Sequence, residues 1–267
     1  MRHKKDLLHT IGNKMDISVV GIDNFSTDTP TVIVANHTSL CDIFSVPHAL
    51  PEAAQIVLSS RLMWKRSTPQ TAERRKLIEE SLYGIPLEVH GGNRRHEIGL
   101  AMARSALHEN WPVIIFPEGA YTGNKEVTKG RTGAVRVLFE TREEGTEAQL
   151  LPVGINTSVG VESLDSLTAS DPVTITIGEP IDYTKAYEQY IKAKDNSIKR
   201  QALRSATEIA MRSIASLVHQ PYIDEYIPIR PRSTVILESG EEVPVNEPEY
   251  DIVIAKMHSR QTSSTPQ

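Results

Sequence analysis

One cysteine, Cys41, stands in a chain of 267 residues. A single thiol excludes an intrachain disulfide framework and a cysteine-based zinc site, and it suits a reducing compartment, so a cytoplasmic setting is expected. Long apolar runs are missing as well. Stretches such as 31–35 and 113–116 fall far below the roughly 18 residues that a spanning helix requires. The amino terminus, Met1-Arg2-His3-Lys4-Lys5-Asp6-Leu7-Leu8, carries basic residues without an apolar core or a small-residue cleavage site, which speaks against an export signal. Aromatics are scarce at 5%, and positive charge is in deficit, with a formal net charge of -5. Nucleic-acid binding by the domain as a whole would need a positive footprint to displace counterions, so no nucleic-acid partner is expected. What remains, 39% hydrophobic and 24% charged residues, is enough to bury a core in one α/β domain with room for an appendage.

Short β-branched runs at 17–20, 31–35, 55–58, 86–89, 113–116, 150–154 and 173–177 read as strands. Helical patterns lie between or after them at 40–50, 71–82, 94–109, 131–142 and 199–219. This alternation predicts an α/β fold: a mostly parallel, mixed central sheet flanked by helices on both faces, with a C-terminal extension. Residues 1–15 form an amphipathic segment, with Leu7, Leu8, Ile11 and Met15 on one side of a helical wheel beside His3, Lys4 and Lys5. Such a pattern fits either packing on the domain or contact with an anionic membrane surface. The main domain is expected over 16–220. From Pro221 the composition shifts to eight acids against four Lys/Arg, with Pro228, Pro231, Pro244 and Pro248 breaking any long helix. Residues 221–267 therefore read as an extension with strands at 234–237 and 251–254 and a polar tail.

In a sheet of this kind, active sites gather at the carboxyl ends of the strands. Two strand ends stop abruptly in polar residues. After 31–35 comes Asn36-His37-Thr38-Ser39-Leu40-Cys41-Asp42. A histidine just past a buried strand, with a carboxylate five residues on, has the composition of a general base and its orienting acid. Ser39 and Asp42 also match a capping box that opens the next helix, and the two readings are compatible. After 113–116 comes Pro117-Glu118-Gly119, a tight turn that can hold Glu118 at the sheet edge to accept hydrogen bonds from a ligand hydroxyl or amine. Lys129-Gly130, ahead of the helix expected from Arg131, can offer a cation and backbone amides to an anion. An ordinary strand-to-helix turn and a solvated lysine are the plainer readings.

The order of these pieces resembles a known family. Asn36-His37-Thr38-Ser39-Leu40-Cys41-Asp42, Phe116-Pro117-Glu118-Gly119, Lys129-Gly130 with Ala134 following, and Leu151-Pro152-Val153 are similar to successive motifs of the glycerolipid acyltransferases, the lysophosphatidate (1-acylglycerol-3-phosphate) acyltransferase type. Val19-Val20-Gly21-Ile22-Asp23-Asn24-Phe25 and Gly178-Glu179-Pro180-Ile181 resemble the stretches that open and close the family's domain, so the likeness spans about residues 16–185. It implies transfer of a fatty acyl group from a thioester, on coenzyme A or an acyl carrier protein, to an acceptor hydroxyl, by default that of a lysophospholipid. His37 would take the acceptor proton and Asp42 would orient the imidazole. Glu118 and Gly119 would line the acceptor side, with Asn36, Lys129, Arg94 and Tyr121 as further substrate-binding candidates. No metal or other cofactor is expected, because a thioester is already activated.

The departures bear on the acceptor. The family's block around Phe116 continues from glycine through threonine to arginine, whereas this chain has Gly119-Ala120-Tyr121-Thr122. A second family arginine aligns with His90, with Arg94 and Arg95 nearby. A bidentate guanidinium is not replaced by tyrosine, so an unphosphorylated hydroxyl or amine acceptor is the competing reading. The apolar membrane element common in the family is also absent from the amino terminus. From Arg61 to Lys76, six cations (Arg61, Lys65, Arg66, Arg74, Arg75, Lys76) face the single acid Glu73, beside Leu62, Met63 and Trp64. This stretch suits peripheral contact with anionic lipid, coenzyme A phosphates or an acidic carrier protein, or a solvated helix face. Other readings are a catalytically silent lipid or acyl-carrier binding module, a thioesterase, and an acyl-enzyme route through Cys41. His90, His96 and His108 are too scattered for a metal set.

Overall fold

The structure, a computed structural model, describes residues 8–9, 12–13, 15–59, 76, 78–88, 93–120, 126–157, 172–227, 234–236 and 242–244. In chain order the strands of the domain are β1 (Asp16–Val20), β2 (Thr31–Ala35), β3 (Gln55–Ser59), β4 (Tyr83–Leu87), β5 (Val113–Ile115), β6 (Val127–Thr128), β7 (Gln149–Thr157), β8 (Pro172–Ile177) and β9 (Tyr222–Ile223). The helices are α1 (Asp42–Ala49), α2 (Asn93–His108), α3 (Gly133–Glu143), α4 (Thr184–Lys192) and α5 (Asn196–Val218). Seven strands form one sheet in the order β1-β8-β7-β2-β5-β3-β4. It is parallel except where β7 meets β8. The predicted mixed, mostly parallel architecture is what the chain adopts.

Burial follows from position. β2 lies at the centre, and all five of its residues, Thr-Val-Ile-Val-Ala, are buried, as a strand covered on both faces requires. Side chains alternate between two cores. Val32 and Val34 join Val113, Ile115, Leu138, Leu150 and Met211 under α2, α3, α4 and α5. Ile33 and Ala35 point the other way, toward Ile114, Phe116 and Phe44 under α1. Each fully buried Leu, Ile or Phe contributes about 1.5–3 kcal/mol relative to exposure, so the sheet is anchored from both sides. Leu8 is buried in the second core and Met15 packs against it, so this part of the amino-terminal segment lies on the domain. Leu7 and Ile11 lie outside the described residues.

Several boundaries differ from the sequence expectation for identifiable reasons. β4 forms at Tyr83–Leu87 rather than 86–89, with Ile85 as its inward residue. Pro86 is tolerated inside it because β4 is an edge strand, where a missing N–H breaks no ladder on the open side. α3 begins at Gly133, not 131; Arg131, ahead of it, donates its N–H to the Pro117 carbonyl at 2.7 Å. α5 begins at Asn196, not 199, because Asp195 accepts from the N–H groups of Ser197 and Ile198.

Helix α4 was not expected, although Tyr183, Ala186, Tyr187 and Tyr190 have helical spacing. The three tyrosines pack around Phe139 with ring centroids 5.2–5.7 Å apart. Residues 221–227 do not leave the domain. β9 pairs in parallel with β6, and the Pro221 and Glu225 carbonyls accept from Val127 and Lys129. Farther on, strand 234–236 appears close to its expected place, paired antiparallel with 242–244, while 251–254 lies outside the described residues.

The turn after β1 depends on Gly21. Its φ is 76°, and a Cβ there would run into the backbone carbonyl of Ile177. Gly21→Ala therefore meets both left-handed strain and a clash with an atom that cannot rotate away. It should lower unfolding free energy by about 2 kcal/mol or more, read as a shift in urea midpoint at unchanged slope. An unchanged midpoint would contradict this account of the turn.

Candidate active site

β5 is inserted between β2 and β3, and Val34 pairs with Ile115. Their carboxyl ends therefore open side by side, and the two polar stretches, 80 residues apart in sequence, become neighbours. The period-two alternation decides what meets. His37 continues the Ile33–Ala35 parity and Phe116 that of Ile114. Their rings stack, with centroids 4.3 Å apart and planes 19° apart.

His37 Nδ1–H donates to Asp42 Oδ2 at 2.9 Å. The same oxygen accepts from the backbone N–H groups of Thr38 at 2.6 Å and Ser39 at 2.8 Å, while Thr38 Oγ1 reaches Oδ1 at 3.0 Å. A carboxylate gripped by two backbone donors at the start of α1 cannot rotate away from the imidazole. It selects the Nδ1–H tautomer and leaves the lone pair on Nε2. Asp42 is sealed at 2% side-chain exposure, whereas His37 retains 11%. Half of the predicted capping box is present, since Asp42 reaches back to the Ser39 N–H. Ser39 Oγ instead accepts from Cys41 N–H at 3.2 Å. The clamp by Thr38 and Ser39 was not foreseen, because the letters of a loop do not specify which backbone amides converge.

Glu118 has a different place from the one expected. Instead of facing a ligand, it is fully buried. Its Oε2 accepts from the His37 N–H at 2.8 Å, and Oε1 accepts from the Thr128 N–H at 2.7 Å and Oγ1 at 2.8 Å. It ties the end of β2 to β6 and fixes the backbone of His37. Burial pushes its pKa above the ordinary glutamate value, against the pull of the three donors. Gly119, with φ 77°, closes the turn and returns its N–H to the Phe116 carbonyl at 3.1 Å. Thr128, absent from the sequence reading, carries no local signal; only the return of the chain along β6 brings it to Glu118.

The remaining candidates separate. Asn36 is buried, and its amide bonds both ways to Ile155, donating to the carbonyl at 2.9 Å and accepting from the N–H at 2.7 Å. It latches β2 to β7, not the substrate contact expected. Lys129 is paired within the chain: its Nζ lies 2.8 Å from Asp224 Oδ1. The backbone of Arg94 is in α2, but its side chain, like Tyr121, His90 and all of the basic stretch 61–75, lies outside the described residues. Lys76, at that stretch's end, is exposed and 3.9 Å from Glu80. His96 bonds the Glu88 carbonyl, and His108 contacts Glu144 and Thr146. Burial raises the Cys41 thiol to about 11, which keeps it protonated and a poor nucleophile.

A family model described as Acyltransferase matches residues 16–156, just over half of the sequence, and the chain belongs to the acyltransferase family. The matched span runs from β1 into β7 and contains His37, Asp42 and Glu118. The fold is similar to the crystal structure of the 1-acyl-sn-glycerophosphate (LPA) acyltransferase PlsC from Thermotoga maritima. The TM-score is 0.51 at 22% identity, covering 80% of this chain and 79% of that one. No curated protein matches in a sequence search. Among the described residues, no helix is long and apolar enough to cross a membrane.

The Glu118 linkage has a sign that can be checked. Because its folded pKa lies above the unfolded value, the folded state holds the proton more tightly between the two. Its contribution to stability is fully present below the unfolded pKa and declines as pH rises through the folded one. Glu118→Gln removes this titration and turns an amide donor toward the N–H of His37 or Thr128, at a cost of about 1–3 kcal/mol. The stability advantage of the native chain over Glu118→Gln should therefore be largest at acid pH and shrink toward neutrality in denaturation series. An advantage that grew with pH would reverse the assignment.

Proposed function

We propose that this member of the acyltransferase family moves a fatty acyl group from an acyl thioester, on coenzyme A or an acyl carrier protein, to an acceptor hydroxyl. The observation that carries the proposal is the His37–Asp42 pair at the carboxyl end of β2, with the carboxylate immobilised by the Thr38 and Ser39 amides. His37 Nε2 takes the hydroxyl proton as the acceptor oxygen attacks the thioester carbonyl. Asp42 holds the ring and offsets the charge of the imidazolium. Collapse of the tetrahedral intermediate expels the thiolate, which leaves as a thiol after receiving the proton from His37. The ester and the free thiol are the products, and no metal or redox cofactor is required.

A lysophospholipid such as lysophosphatidate is the acceptor we favour, in keeping with the activity named for PlsC. The second reading, a hydroxyl or amine acceptor without phosphate, rests on Gly119-Ala120-Tyr121, where the family places an arginine. We place the enzyme in the cytoplasm, reaching lipid through a peripheral surface.

Purified protein should transfer label from long-chain acyl thioesters to one of a panel of lysophospholipid, alcohol and amine acceptors. His37→Ala should lower turnover by about 10²–10⁴-fold or more, and Asp42→Asn by up to about 10⁴-fold. Cys41→Ser should retain activity, and single turnovers without acceptor should leave no acyl-protein. Equal rates for His37→Ala and the native chain, or acyl-chain binding without turnover for any donor, would overturn the proposal; release of free fatty acid alone would make it a thioesterase.

A further inference from the structure

Away from the His37 pair, three cations converge on one aromatic ring. Lys129 Nζ lies 5.3 Å, and Arg131 Cζ 5.4 Å, from the centroid of Tyr226. Arg204, from α5, donates through Nη1 to the Tyr226 hydroxyl at 3.0 Å and to the Gly130 carbonyl at 2.6 Å. The loop carrying Lys129 and Arg131 is bound to the strand-end turn, since Thr128 is held by Glu118 and Arg131 N–H by Pro117. Gly130 allows the close approach: a Cβ there would press on Met211 and Pro117.

The charge at this point is unbalanced. Arg104, Arg136, Arg142 and Arg212 each meet a glutamate. Among the described residues Arg131 and Arg204 meet none. Arg131 Nε and Arg204 Nη2 are buried without a hydrogen-bond partner, and the polar contact of Arg131 is a 3.4 Å bond to the Ile227 carbonyl. Guanidinium donors left this way favour an anion with several acceptor oxygens. Among the described residues, the carboxylate paired with this cluster is Asp224, which holds Lys129 from an exposed position, with 62% of its side chain accessible. An exposed pair of this kind is weak and open to competition by a dianion.

We propose that Lys129, Arg131 and Arg204, gathered around Tyr226, form a binding site for a phosphate monoester, and that Asp224 holds the lysine until the phosphate takes its place. The segment Tyr222–Ile227 is then a side wall of the site, not a spacer. Two sources supply this chemistry if the acyl-transfer reading holds: the ribose 3′-phosphate of a coenzyme A donor, and the glycerol phosphate of an acceptor.

Calorimetric titration of the full chain with coenzyme A against 3′-dephospho-coenzyme A, and with sn-glycerol 3-phosphate against glycerol, separates them. One phosphate-bearing probe should bind at least about tenfold more tightly than its counterpart. Arg204→Gln should erase that preference and Asp224→Asn should enlarge it. Should Arg204→Gln fail to fold, Asp224→Asn decides alone, because a gain of affinity cannot come from unfolding. Absence of any preference for the phosphate, or a preference that Asp224→Asn leaves unchanged, would overturn the site. Because the readout is binding, it can be scored equally on His37→Ala, and failure here leaves the acyl-transfer proposal standing on its own assay.

Discussion

A buried carboxylate that accepts three hydrogen bonds holds this site together. Glu118 has no exposed surface, and its oxygens are divided between the backbone of His37 and the backbone and hydroxyl of Thr128. Desolvating a carboxylate is costly unless its lone pairs are satisfied, and here backbone donors with no freedom to leave supply most of that compensation. The constraint runs in both directions. It pins the residue that carries the imidazole, and it draws the chain back along β6, so that the loop 128–131 lies against the Pro117 turn. Removing the acceptor would free two chain segments at once.

Around that anchor, polar groups near the strand ends divide their work. Asn36 and Glu118 hold strands and loops, with their hydrogen bonds turned inward. His37 and Asp42 form a separate pair whose orientation is set by the amides of Thr38 and Ser39 and by stacking on Phe116. A general base gains from having its ring, tautomer and supporting charge fixed before substrate arrives, because none of that reorganisation then falls in the reaction step. The surrounding frame is stiff for the same reason that β2 is uniformly buried: both faces are packed, and the chemistry sits where the packing stops.

The segment after α5 changes the outline of the domain. Composition alone separates residues beyond Pro221 from what precedes them, yet 222–227 completes a small parallel pairing with β6 and places Asp224 and Tyr226 beside three cations. In sequence Asp224 reads only as part of an acidic extension, because its partner Lys129 lies far away along the chain.

The seven sheet strands, four of the helices and the kinship of the chain were legible because each rests on local information: β-branched runs, helical periodicity and short ordered motifs. The His37–Asp42 pairing was legible too, since five residues bridging a strand end and a helix start leave few ways for the two side chains to miss each other. The direction in which Glu118 and Asn36 turn was not, nor was the partner of Lys129. A carboxylate in a turn looks the same in sequence whether it greets a ligand or closes a loop. Its role was decided only when β5 slid between β2 and β3 and β6 returned beside the turn, because those contacts join residues whose separation in sequence carries no trace of their separation in space.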